Sequence, residues 1–140
     1  MMLDVNDFVI TPNSTWHEHG VEAGGKTCIW QDGLDIPLIN ALEANDYAVY
    51  DGTQPLTAPI NHSPMTYGGT GLIPPDKEWN KPYSPLFKYS WKTVYPALLE
   101  AEKVNDVNIF DGIIMQYSNP LTGGHVMQTM GASIQLLPKG

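Results

Sequence analysis

The 140-residue chain contains no arginine: all seven basic residues are lysines, set against fifteen acidic ones, for a net charge of -8. A surface so short of positive charge repels phosphate backbones and anionic lipid, which argues against nucleic acid and membrane as partners. Cysteine is almost as scarce. Cys28 stands alone, so no internal disulfide is available, and its apolar neighbours Ile29 and Trp30 predict a buried thiol acting as a small hydrophobe. No apolar run approaches the roughly 20 residues of a membrane-spanning helix. The opening MMLDVNDFVI lacks the basic start and apolar core of a signal peptide. Together these absences predict a cytoplasmic protein, and a 42% hydrophobic content is enough for the core of one ordinary domain.

The patterns that are present predict a mainly β chain. DFVITP alternates and is β-branched, KTCIWQDG reads as a second strand ending at Asp32-Gly33, and IIMQY and ASIQLLP read as two more. The strands are expected near 7–11, 27–31, 113–117 and 132–137, in two incomplete sheets. Helical spacing runs through PLINALEANDY, with Asp35 expected to cap a helix starting near Pro37. A second helix is expected over 94–103, with Thr93 as N-cap and Pro96 in its first turn. Between Tyr50 and Tyr89, which hold most of the prolines and the run YGGTG, the pattern dissolves into an irregular connection.

The histidines carry the chemistry. TPNSTWHEHG sets His17 and His19 one residue apart in a chain with four histidines, a spacing that often presents imidazoles to a metal. It also overlaps the second sequence motif of the cupins, small jelly-roll barrels that hold a metal inside. That motif runs Gly, five residues, Pro, one, Gly, two, His, three, Asn. Asn6, Pro12, Ser14, His17 and Val21 fall at those positions, so Pro and His match while both glycines and the Asn do not. Asn6 tolerates the left-handed turn that glycine supplies. Trp16 and Trp30 are expected in the core or a pocket wall. His62 and His125 lie in loop-like contexts and are given no metal role.

DFVITPNSTWHEHG followed by IWQDGLDIPLINAL, then SPLFKYSW and YSNPLTGGHVMQTMGASIQLLPKG, resembles the gentisate 1,2-dioxygenase family, which includes salicylate and 1-hydroxy-2-naphthoate dioxygenases. The resemblance covers nearly the whole chain. It implies a partial bicupin of jelly-roll type, with residues 1–44 as the closing strands of a first cupin, 45–108 as an inter-cupin linker and 109–140 as the opening strands of a second. Gly140 then sits where a further histidine motif begins. The family chemistry is Fe(II)- and O2-dependent ring cleavage of aromatic hydroxy acids, gentisate to maleylpyruvate, by enzymes that are commonly homotetramers.

By position, the resemblance makes His17 the third iron ligand, the other two being histidines upstream of this segment. It makes His19 a group that hydrogen-bonds substrate or moves a proton, and Asp32 a carboxylate that orients a phenolic hydroxyl. One residue is inserted between His17 and Asp32, in the Gly-rich EAGGKT. The arginines that clamp a substrate carboxylate in the family have no counterpart here. With one ligand of three, the isolated chain is expected to leave the iron site unfilled and to be inactive. It is expected to self-associate or to pair with a complementary cupin fragment. The alternatives are a non-catalytic remnant or interaction module, and a small cupin that binds a ligand without metal.

Overall fold

The computed structural model describes residues 1–52, 55–69, 71–76 and 78–137; the Gly140 position lies outside them. The chain divides into two compact units, one of Met1–Ile10 with Ala58–Gly140 and one of Thr11–Thr57.

In the first unit, β1 (Phe8–Val9) pairs antiparallel with β2 (Lys88–Tyr89), placing Phe8 opposite Tyr89 and Val9 opposite Lys88. The Ile10 amide extends the ladder by donating to the Phe87 carbonyl at 3.0 Å. A strand at 88–89 was not expected, because Lys-Tyr has no alternation of its own to read. What selects it is side-chain packing across the pair. Phe8 lies 5.8 Å from the Tyr89 ring and stacks on Tyr117 at 4.3 Å. The Tyr89 hydroxyl donates to the Ser118 carbonyl at 2.7 Å and sits 3.1 Å from Ser84 Oγ, a fully buried hydroxyl that accepts the Leu86 amide. Burial pushes the Tyr89 phenol above its usual range, only partly offset by the Ser84 bond, and burial does the same to Tyr117. Both groups stabilise the fold below about pH 10, and that contribution is lost as pH rises through the raised values.

A second short helix, α2 (His62–Tyr67), interrupts the Pro-rich connection, so His62 opens a helix instead of lying in a loop. The helix α3 (Trp91–Glu102) matches the one expected near 94–103 but starts earlier. Ser90 occupies its N-cap position, not Thr93, whose hydroxyl donates back to the Ser90 carbonyl at 2.9 Å. Pro96 accordingly falls inside the helix instead of in its first turn. The helix tolerates it because Leu98, 1% exposed, anchors one face and Trp91 stacks on Tyr95 at 4.7 Å on another.

The helix packs on β3 (Ile113–Gln116) and β4 (Ser133–Leu136), an antiparallel pair running from Ile113 opposite Leu136 to Gln116 opposite Ser133. Among the described residues, Leu98, Ile113, Val126, Ile10, Leu86 and Tyr67 are the buried hydrophobic side chains. Gly112, with φ +66°, opens β3 where a Cβ would run into the Leu136 carbonyl oxygen. Gly123, φ +72°, sits in the following turn with open space around it. Gly112→Ala is therefore expected to cost about 2–4 kcal/mol, strain plus collision, whereas Gly123→Ala costs only the strain, about 1–2 kcal/mol. Equal shifts of the urea midpoint for the two variants would show that the close approach at Gly112 carries no energy.

Among the described residues of the second unit the regular element is α1 (Ile36–Ala41). Asp35 holds its N-cap position but makes no side-chain cap; its carboxylate accepts from Asn13 Nδ2 at 2.9 Å. The strand expected at 27–31 is not formed. A strand exists only when a neighbour takes its N–H and C=O groups, and none of the described strands runs beside this segment. Cys28 is consequently exposed, not buried, and Ile29 is 92% exposed.

Candidate functional site

The histidine segment is shaped by the turns on either side of it. Both positions where the cupin motif has glycine adopt the left-handed conformation without one, Asn6 at φ 67° and Ser14 at φ 57°. Asn6 was expected to manage this; Ser14 was not, since serine lacks the side-chain amide that makes left-handed asparagine common. Around Ser14 the turn is tied by Thr15 Oγ1 donating to the Pro12 carbonyl and by the Asn13–Asp35 hydrogen bond.

His17 and His19 meet edge to face, with ring centroids 5.2 Å apart and planes at 71°. His19 also leans on Trp30 at 4.8 Å, while Trp16 contacts Tyr50 at 5.1 Å. Trp16 and Trp30 are each 50% exposed, so neither is a core residue; Trp30 is a half-open aromatic surface beside His19. The Gly-rich stretch before Asp32 forms a turn in which the Gly25 amide donates to the Glu22 carbonyl at 2.8 Å and Gly24 takes φ +79°.

Three of the residues singled out in sequence, His17, His19 and Trp30, are thus brought together, and Tyr50 joins Trp16, a contact that nothing in the surrounding Pro-rich composition signalled. Asp32 is exposed, and among the described residues no hydrogen bond or ring contact joins it to the pair. No three His, Cys, Asp or Glu side chains among the described residues gather closely enough to hold a metal ion. As donors for a ferrous ion the residues present do not fit: two imidazoles edge to face supply no third protein donor, and a carboxylate outside their reach does not replace one. His125 pairs with Ser118 in an isolated bridge and packs against Gly131. No described helix is long and apolar enough to cross a membrane.

No family model matches the chain. It is 38% identical over 138 residues, 98% of its own length, to gentisate 1,2 dioxygenase 1 of Aquipseudomonas alcaligenes. It is 33% identical over 140 residues to the 5-aminosalicylate 1,2-dioxygenase of a Comamonas species. The chain spans 39% and 36% of the lengths of these two relatives. A variant of the salicylate 1,2-dioxygenase from Pseudoaminobacter salicylatoxidans superposes with a TM-score of 0.53, covering 71% of this chain and 29% of that one at 24% identity. In sequence over almost all of its residues, and in fold over most of them, this chain resembles the gentisate-type aromatic 1,2-dioxygenases.

Proposed function

We propose that these 140 residues are a central segment of a gentisate-type ring-cleaving dioxygenase. Residues 1–44 would close a first jelly-roll cupin, 45–108 link the two barrels and 109–140 open the second. The observation that carries the reading is 38% identity across 98% of this chain against 39% of a gentisate dioxygenase. The substrate class is an aromatic acid with a hydroxyl beside the carboxylate, with gentisate giving maleylpyruvate as the first candidate and salicylate or 1-hydroxy-2-naphthoate as alternatives.

In this reading His17 contributes one neutral imidazole nitrogen to an iron site whose remaining donors come from outside these residues. His19, held between His17 and Trp30, meets the substrate hydroxyl and exchanges a proton with it. Asp32 orients that hydroxyl once the strands that should flank residues 27–31 are supplied. The apolar side chains left open, among them Ile29 at 92%, Tyr47 at 93% and Val49 at 89% exposure, favour pairing with another chain or a complementary cupin fragment. A non-catalytic cupin module is the second reading, favoured by the histidine pair having no third donor gathered beside it among the described residues.

A single imidazole does not complete a metal site. Loaded anaerobically with ferrous ion, the isolated chain is expected to retain less than one iron per chain and to form no ring-cleavage product from gentisate. Stoichiometric iron and steady turnover by the chain alone would overturn the view that its site is incomplete.

A further inference from the structure

Away from the histidine segment, the first unit carries a pocket of about 420 Å³ between α2 and the approach to β2. Its walls are aromatic. Trp79 stands 6.4 Å from Tyr67 with the planes at 59°, and 6.2 Å from Phe87 with the planes at 63°, so the three rings are inclined walls instead of a stack. Pro85, among the most completely buried residues, also lines it.

The aromatic walls and the one carboxylate in this lining suit one class of ligand. The Trp79 indole N–H is spent on the Tyr83 carbonyl at 2.6 Å, which also fixes the ring. Ser63 Oγ donates to the Pro85 carbonyl and accepts the Phe87 amide, each at 2.8 Å, so its hydrogen is spent too. A ligand that needs donors finds neither of these free. What remains on offer is the π faces, the exposed carboxylate of Glu78, the Tyr67 hydroxyl and the exposed imidazole of His62. Aromatic faces attract cations through their quadrupole, most strongly for Trp, and a carboxylate at the edge adds charge complementarity. The chain's net charge of -8 raises the local concentration of cations further. We propose that this pocket is a binding site for quaternary or methylated ammonium groups, a role separate from ring cleavage.

The test is saturation-transfer NMR on the N-methyl protons of choline with the 140-residue chain, beside 3,3-dimethylbutan-1-ol, a neutral molecule of the same shape. Choline is expected to saturate with a dissociation constant of about a millimolar, and the neutral analogue to bind at least several-fold more weakly. Glu78→Gln is expected to weaken choline about 2–5-fold, and Trp79→Leu about tenfold. Equal binding of the two molecules, or choline binding unchanged by Glu78→Gln, would overturn the proposal. So would the absence of saturable transfer. If Trp79→Leu fails to fold, the neutral analogue and the surface variant still decide.

Discussion

Ring cleavage is expected to appear when the chain is mixed with purified fragments supplying the preceding and following segments of a gentisate-type relative, and to vanish again when the chain carries His17→Ala. The expectation follows from what the chain has and lacks. It holds one imidazole proposed as an iron ligand and a second edge to face at 5.2 Å, with no third donor gathered beside them among the described residues. It also leaves residues 27–31 without strand neighbours. Added fragments would supply both the donors and the partners for that segment.

The three site residues should then separate by phenotype. His17→Ala should lose bound iron and activity together. His19→Ala should keep the iron while turnover falls about 10²–10⁴-fold, the range for a lost proton-transfer group. Asp32→Asn, acting through orientation, should cost about 10–100-fold. Metal content of the purified complex, measured beside product formation, reads the difference. If His17→Ala retained both iron and turnover, its assignment as a ligand would be wrong.

The largest effect on stability is expected at Asp7. Its carboxylate, 1% exposed, accepts the Asp4 amide at 2.9 Å and the Trp91 amide at 2.9 Å, and lies 3.3 Å from Lys88 Nζ. Trp91 is the first residue of α3, so a side chain from the edge of β1 supplies the cap that Ser90 does not. Burial pushes the Asp7 carboxyl upward, but the amides of Asp4 and Trp91 and then the Lys88 charge outweigh it, and the group titrates below its usual range. Lys88 is itself only 11% exposed and has one other acceptor, the Met2 carbonyl at 3.0 Å.

Asp7→Ala leaves that ammonium without a counter-charge, with the Met2 carbonyl as its remaining described partner, and uncaps α3, for an expected loss of about 3–5 kcal/mol. Asp7→Asn keeps an acceptor for one amide and should cost less, about 1–3 kcal/mol. The pH dependence follows from the lowered value. The stabilisation is present above the unfolded-state value of about 3.9 and is lost as pH falls through the folded-state one. Urea midpoints of wild type and Asp7→Asn should therefore converge below about pH 4. A gap of constant size down to pH 2 would show that the carboxylate's charge contributes nothing, and Lys92→Ala, in the exposed pair with Asp4, serves as the control.

These two predictions also mark what was legible in the sequence. Of the elements read correctly, β1, α3, β3 and β4 are those whose periodicity agrees with a partner lying within the chain, while α1 was legible from its own helical spacing although it buries no side chain. KTCIWQDG has equally good strand composition and is no strand, because composition records a side-chain preference while a strand requires a neighbour. The cap of α3 was misread for a related reason: Thr93 is a plausible local cap, whereas Asp7 lies 84 residues away in sequence. Proline concealed α2, whose Pro64 sits near the start of a six-residue helix. At the site, the spacing that brings His17 to His19 is local and could be read directly. The distance of either from Asp32 depends on the course of the unpaired segment between them, which no residue pattern encodes.

The two left-handed residues in the histidine motif have a consequence for how such motifs are recognised. A pattern that demands glycine is a statement about permissible torsion angles written in the alphabet of residue types. Asn6 and Ser14 meet the torsional requirement while failing the spelling, each at a strain of about 1–2 kcal/mol that glycine would not incur. Scored by letters, the segment keeps two of the motif's five fixed positions. Scored by the sign of φ where glycine is specified, it keeps four, and kinship between distant members of a barrel family is better measured along the backbone than along the text.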